Sequence, residues 1–361
     1  MSDQASKDRI EKLDRMLSAK YLKKGIFYFV FITVATLLGI FLLNNSGNFL
    51  SIWSKIDYRY IFLGFGFMAV DIFLGGFRNH IFAKTFAKGM SLMVAVKANL
   101  ANIFLGAVTP SQTGGGVSHW YIFWKSGLKT KDFITLSFAN FISTLVFFPI
   151  AGFIAMKILK DKIPEGFIIY LMNFGYFVFT VLGVLVLVAL FFPQVIGKIL
   201  SIISMGLMKV WPAMKSRLNG FGERATKSMI NYRKSLKKFL VQRPWIFLLS
   251  FILTALLYFN KFVCAYFLLL AFGVEADFWT VVAIQAVVYL ILYFAPTPGG
   301  SGIAELSISG LMAGIISSDY SASFTLLYRS FMFFMPALLG AFVMLSELPK
   351  EKRPSEEVYL N

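Results

Sequence analysis

Two stretches of this chain carry residue types from which a phosphate-binding site can be built. Thr109-Pro-Ser-Gln-Thr-Gly-Gly-Gly116 and Pro296-Thr-Pro-Gly-Gly-Ser-Gly302 each end an apolar run, break it at Thr-Pro and continue in glycines. A glycine removes the side chain, so backbone N–H groups can approach a ligand closely. A helix starting after the glycines, near Gly116 or Gly302, aims its partial positive end at the break, where phosphate is favoured. The candidate binding residues are Thr109, Pro110, Gly114, Gly115, Gly116 and His119 at the first break. At the second they are Pro298, Gly299, Gly300, Gly302 and Glu305, joined by the intramembrane cations Arg329 and Lys261.

Each charge has a functional and a structural reading. Glu305 stands in the first turn after Gly302, as a counter-charge for a cationic group, as a proton-coupled gate, or as a carboxylate stabilising its own helix N-terminus. Charges inside a membrane are expensive and mark pathways or pairs. Arg329 is expected to partner Glu305 or a ligand group, and Lys261 to act alone or with Asn260. Asp71 and Arg78, seven residues apart on one helix face, read as a functional site or as a structural pair. Lys97 lies near its helix start and can snorkel to water.

These residues need helices to hold them, and composition says where. The 361 residues are 58% hydrophobic, with a mean hydropathy of +0.72, above the roughly half usual for soluble domains. Ile26–Leu43, Phe133–Met156 and Phe167–Phe192 carry no charge. Tyr60–Phe77 carries Asp71, Trp245–Gly273 Lys261 and Ala322–Leu345 Arg329. A span needs about 20 apolar residues, so six spanning helices are predicted in an all-α polytopic membrane protein. The charged head before Ile26 and the length of the first run argue against a cleavable signal.

The two breaks belong to a repeat. A shift of 188 superposes Val94 on Val282, Ala98 on Ala286, Ala107 on Ala295, Thr109 on Thr297 and Pro110 on Pro298. The return limbs Gly116–Trp124 and Ile303–Ile316 reach only about 14 and 21 Å at 1.5 Å per residue, short of a core of about 30 Å. Residues 92–128 and 279–316 therefore read as re-entrant hairpins. Basic residues concentrate on the cytoplasmic side. With both termini there, 27 of the 35 Lys and Arg face the cytoplasm, five face outside, and Lys97, Lys261 and Arg329 lie in the membrane. The expected organisation is a basic N-terminus (1–25), a first membrane repeat (26–157), a linking loop and helix (158–192), a basic cytoplasmic segment (193–244), the rest of the second repeat (245–346) and a cytoplasmic tail (347–361). The halves have inverted topology, a pattern that places transport sites at interrupted helices near the midplane.

The two motifs, with His119-Trp-Tyr-Ile-Phe-Trp-Lys-Ser-Gly127 after the first and Ile303-Ala-Glu305 after the second, resemble the signatures of the lysylphosphatidylglycerol synthase transmembrane (flippase-like) family. The resemblance covers roughly residues 20–346. His119 stands where that family is expected to carry an amide or an arginine. The resemblance implies a bacterial or archaeal cytoplasmic membrane protein moving a phospholipid, aminoacylated lipid or polyprenyl-linked lipid between leaflets. It also implies membrane lipids as partners, with a separate lipid-modifying enzyme as another. With Asn361 some 15 residues after the last helix, the family's C-terminal aminoacyl-transferase domain is expected to be absent.

Two alternatives come from other classes: a membrane subunit or enzyme of lipid or glycolipid modification, and a small-solute secondary transporter. Against an enzyme, the sequence shows no nucleophile–base pair, and Gly114-Gly-Gly lacks the Lys-Ser/Thr of a P-loop. His80 and His119 are too few and too far apart for a metal cluster, and no cofactor is implied. The lone Cys264 lies inside a helical run, so no disulfide framework is possible. Between Ala213 and Val241, Leu218, Phe221, Ala225, Met229, Tyr232, Leu236 and Phe239 form a helical stripe opposite basic faces, as in a helix lying on an anionic leaflet. The net charge of +17 is thereby accounted for without nucleic acid.

Overall fold

The computed structural model describes residues 19–43, 49–160, 192–210 and 244–347, with scattered positions between 162 and 230. Every regular element among them is helical: α1 (Ala19–Leu43), α2 (Phe49–Ser54), α3 (Tyr58–Phe86), α4 (Leu92–Val108), α5 (Gly115–Lys125), α6 (Thr130–Leu159), α7 (Pro193–Val210), α8 (Pro244–Ala271), α9 (Phe278–Leu292), α10 (Ile303–Met312), α11 (Ser318–Arg329) and α12 (Met335–Glu347). A π-helical turn, Ser330–Phe334, joins α11 to α12, so 318–347 run as one 30-residue helix. With α3 (29 residues), α6 (30) and α8 (28) it makes four helices, among the described residues, long and apolar enough to span a membrane. The chain is an all-α membrane protein. The expected span Phe167–Phe192 and the basic stripe of 213–241 lie largely outside the described residues.

Local chemistry sets the ends of these helices. Asp57 caps α3 by accepting from the Arg59 N–H at 3.0 Å. Ser91 caps α4 through the Val94 N–H at 3.3 Å, and Asp277 caps α9 through the Thr280 N–H at 2.9 Å. Such caps satisfy donors that the first helical turn leaves free. Exposed Phe62, Phe73, Phe153, Leu248 and Phe342 clothe the outer surface, as apolar solvent around the helices requires.

Packing builds two large interiors and a small third around Leu145, Phe148, Phe179 and Leu290. Residues of α8 to α11, including Cys264, Leu268, Val287, Ile308 and Phe324, form one. Residues of α3 to α6 and α12, including Phe82, Ala98, Leu105, Phe123 and Leu136, form the other. Small residues let helices cross closely where water supplies no drive. A Cβ added at Gly340 would lie 2.1 Å from the Leu100 carbonyl oxygen, and one at Gly76 would lie 2.5 Å from Val96 Cγ2. Those contacts hold α4 between α3 and α12.

Candidate functional site

The two breaks share a backbone as far as Gln112 and Gly300. Each begins with an extended threonine, Thr109 or Thr297, and turns through a three-residue 3-10 helix, Pro110–Gln112 or Pro298–Gly300. These turns are offset by the same 188 residues as the sequence repeat. Left-handed φ values also match: Ser111 (49°) with Gly299 (58°), and Gln112 (54°) with Gly300 (69°). Glycine takes this conformation freely, whereas a non-glycine residue held there costs about 1–3 kcal/mol. The first break therefore stores strain that the second avoids. The breaks also touch: the Ser111 N–H donates to the Pro296 carbonyl at 3.1 Å.

Side chains at the first break serve the turn itself. Buried Thr109 donates its hydroxyl to the Leu105 carbonyl (2.5 Å) and accepts the Gly114 N–H (2.8 Å). Gly114 packs on Thr109, and a Cβ at Gly115 would meet the Asn102 carbonyl oxygen at 2.7 Å. Both glycines permit close packing within the broken pair α4–α5. Nothing lies within 4 Å of a Cβ placed at Gly116, and Pro110 is exposed. His119 meets Phe123 at a tilt and Phe133 edge-on, with ring centroids 5.1 and 5.3 Å away, and its Nε2 makes no hydrogen bond.

At the second break the expected charge pair is present. Arg329 Nε donates to Glu305 Oε1 at 3.0 Å, with the two side chains 5% and 0% exposed. The other carboxylate oxygen accepts the Gly302 N–H at 2.6 Å, so Glu305 serves its own helix start and the pair together. The Arg329 guanidinium also reaches the Gly299 carbonyl at 3.3–3.4 Å and lies 4.5 Å from the centre of the Phe333 ring. Buried Ser301 accepts a hydrogen bond from Thr33 of α1 at 2.9 Å.

The structure corrects the pairing of Asp71. Its partner is Lys261 of α8, 2.6 Å away, and not Arg78. Seven residues of helix rise about 10.5 Å, beyond contact distance even on a shared face. Arg78 instead donates to Thr254 Oγ1 at 3.0 Å. Asn260 turns away from the ion pair and donates to the Phe67 carbonyl.

A cavity of about 260 Å3 collects these groups. Asp71, Arg78, Lys261, Gly299 and Arg329 line it, together with Asn99, Asn102 and Gln112 and the tyrosines 258, 289, 293 and 328. Of the residues expected from sequence, Lys261, Gly299 and Arg329 reach this wall, as do Asp71 and Arg78. Glu305 stands behind Arg329, and His119 with the three glycines 114–116 is absent from the lining. The sequence reading missed Asn99, Asn102 and Gln112, although an i, i+3 pair of amides in an apolar helix is a visible signal. Lys97 is paired: Glu347, at the end of α12, bridges it (2.9 Å) and Lys125 (2.8 Å). No cluster of three or more His, Cys, Asp or Glu that could hold a metal occurs among the described residues.

Comparison with known proteins adds a family. The family model described as the lysylphosphatidylglycerol synthase TM region matches residues 28–340. A UPF0104 membrane protein of Archaeoglobus fulgidus is 19% identical over 331 residues, 90% of this chain and 97% of that protein. Another UPF0104 membrane protein, from Methanothermobacter thermautotrophicus, is 31% identical over 134 residues, 36% of this chain and 39% of its own length.

Proposed function

Because the chain belongs to the lysylphosphatidylglycerol synthase transmembrane-region family, we propose that it is a lipid translocator. In this reading a phospholipid, aminoacylated lipid or polyprenyl-linked lipid passes its headgroup between leaflets through the cavity that both breaks line. The observation that carries it is the junction itself: two interrupted helix pairs touch through Ser111 and Pro296, and both contribute, through Gln112 and Gly299, to the wall of a charged cavity. Irregular backbone at membrane depth is tolerated only where protein buries it or water reaches it. At about 260 Å3 the cavity falls just below the roughly 300–1,000 Å3 of small-molecule sites, so it suits a headgroup while the acyl chains stay in lipid.

The finer architecture belongs to the same proposal. Helices α4–α5 and α9–α10 enter and leave on one side each, the two halves are inverted relative to one another, and six helices span with both termini cytoplasmic. The site comprises the two breaks, with Lys261 and Arg329 at its wall and Glu305 fixing Arg329. The test is purified protein in liposomes carrying a fluorescent lipid, with a membrane-impermeant quencher reporting the outer leaflet. Protein-dependent loss of leaflet asymmetry supports translocation. Rates equal to empty liposomes, across anionic, zwitterionic and polyprenyl-linked lipids, would remove it.

A further inference from the structure

The charges around the cavity do not cancel. Glu305 neutralises Arg329 from behind, and Asp71 neutralises Lys261 at 2.6 Å. Arg78 has no carboxylate partner among the described residues. Its guanidinium carries five donors; one reaches Thr254 at 3.0 Å, and the buried Nε has no partner. A cation left in this state in a low-dielectric setting is costly unless a ligand pairs it.

Its surroundings look prepared for an acceptor. Asn99 and Asn102, one helical turn apart on α4, face the same cavity, as does Gln112 from the strained first break. None of these amides makes a hydrogen bond to another described residue. Gly75 leaves room for Asn99: a Cβ there would lie 2.5 Å from Asn99 Nδ2. A buried polar chain braces the helices around Arg78. Thr254 donates to the Ser250 carbonyl (2.7 Å), Ser250 to Asn140 (3.1 Å), and Asn140 to Asn79, beside Arg78 (2.7 Å).

Resting on the translocator reading for the origin of its ligand, we propose that Arg78, with Asn99, Asn102 and Gln112, forms a binding site for one singly charged phosphodiester, that of an anionic lipid headgroup. Arginine offers paired N–H groups matched to phosphate oxygens. The amides supply further neutral donors, so one negative charge closes the balance. The equivalent positions in the second repeat are Val287, Leu290 and Gly300, so the phosphodiester binds against the first repeat alone.

The test is equilibrium binding to full-length protein in an uncharged detergent, by thermophoresis. The probes are dihexanoyl phosphatidylglycerol, dihexanoylglycerol and glycerol 1-phosphate. Wild type should bind the first, and Arg78→Gln should weaken it about tenfold or more, with Arg78→Lys between. Because Arg78 has no carboxylate to orphan, Arg78→Gln should melt no lower than wild type, a result that a structural role would not give. Asn102→Ala reads the same site should Arg78→Gln fail to fold, and its affinity should fall severalfold. Unchanged phosphatidylglycerol affinity in both variants would overturn the assignment, as would equal binding of dihexanoylglycerol. Glycerol 1-phosphate binding as tightly as the lipid would overturn the headgroup origin. Binding without transport in liposomes would sink the translocator and leave the anion site standing. Transport with unaltered binding in the variants would do the reverse.

Discussion

Arg329 and Glu305 meet at 3.0 Å in the interior, and the same guanidinium reaches back to the Gly299 carbonyl. The pair thus joins the end of α11 to both sides of the second break, the turn before it and the helix after it.

Removing one member should leave the other charged and buried. Glu305→Gln is expected to destabilise by about 3–5 kcal/mol, and Arg329→Gln comparably. The double variant should melt above either single one, giving a coupling energy that a double-mutant cycle measures by thermal unfolding. Additive losses would show that the pair does not act as a unit.

Neighbouring glycines at the first break should behave differently. Gly115→Ala presses a methyl group against Asn102 and is expected to cost about 1–3 kcal/mol. Gly116→Ala meets open space in a helix and should be neutral or stabilising by up to about 1 kcal/mol. Melting temperatures of the two variants decide, and equal values would refute the packing assigned to Gly115.

Acid should loosen the exposed start of α9. Hydrogen bonds from Thr280 and Lys162 lower the Asp277 carboxyl from 3.8 to about 2. A depressed carboxylate contributes stability that is present above its unfolded value and lost as pH falls toward the folded one. Thermal stability of wild type should therefore decline more steeply between pH 4 and 2 than that of Asp277→Asn. Parallel profiles would contradict this.

Orientation is testable with single cysteines in a Cys264→Ala background. Ser216→Cys should be shielded from an impermeant thiol reagent in intact cells, and exposed Ser318→Cys should react. The reverse result would exclude cytoplasmic termini and the inverted arrangement of the halves.

Much of this was legible because it is local. Thr-Pro and glycine fix backbone conformation within a few residues, so both breaks and their common offset follow from the sequence, and the structure repeats them down to the φ angles of Ser111 and Gly299. Glu305 and Arg329 were foreseeable partners because neighbouring elements carry them. Asp71 and Lys261 were not, since their helices are 190 residues apart and only packing sets how each is rotated. His119 is a related case: its motif is near the break in sequence, yet the contacts of its ring with Phe123 and Phe133 come from how α5 packs, which the motif alone does not set. Arg78 was visible as a membrane charge, but that it lacks a carboxylate among the described residues showed only once Asp71 proved to be paired with Lys261.

The hydrogen bond from Ser111 to Pro296 is, among the described residues, the single backbone stitch between the two breaks. Breaking one such bond costs about 0.5–1.5 kcal/mol, far less than separating Asp71 from Lys261, a pair that ties α3 to α8. The molecule therefore has a weak backbone seam and a strong pin, as a door has a latch and a hinge. Thermal motion should part the seam long before it strains the pin, and the strained turn at Ser111 and Gln112 would relax as it opens. On the translocator reading, the passage would give way first where its two breaks meet, while the ion pairs hold.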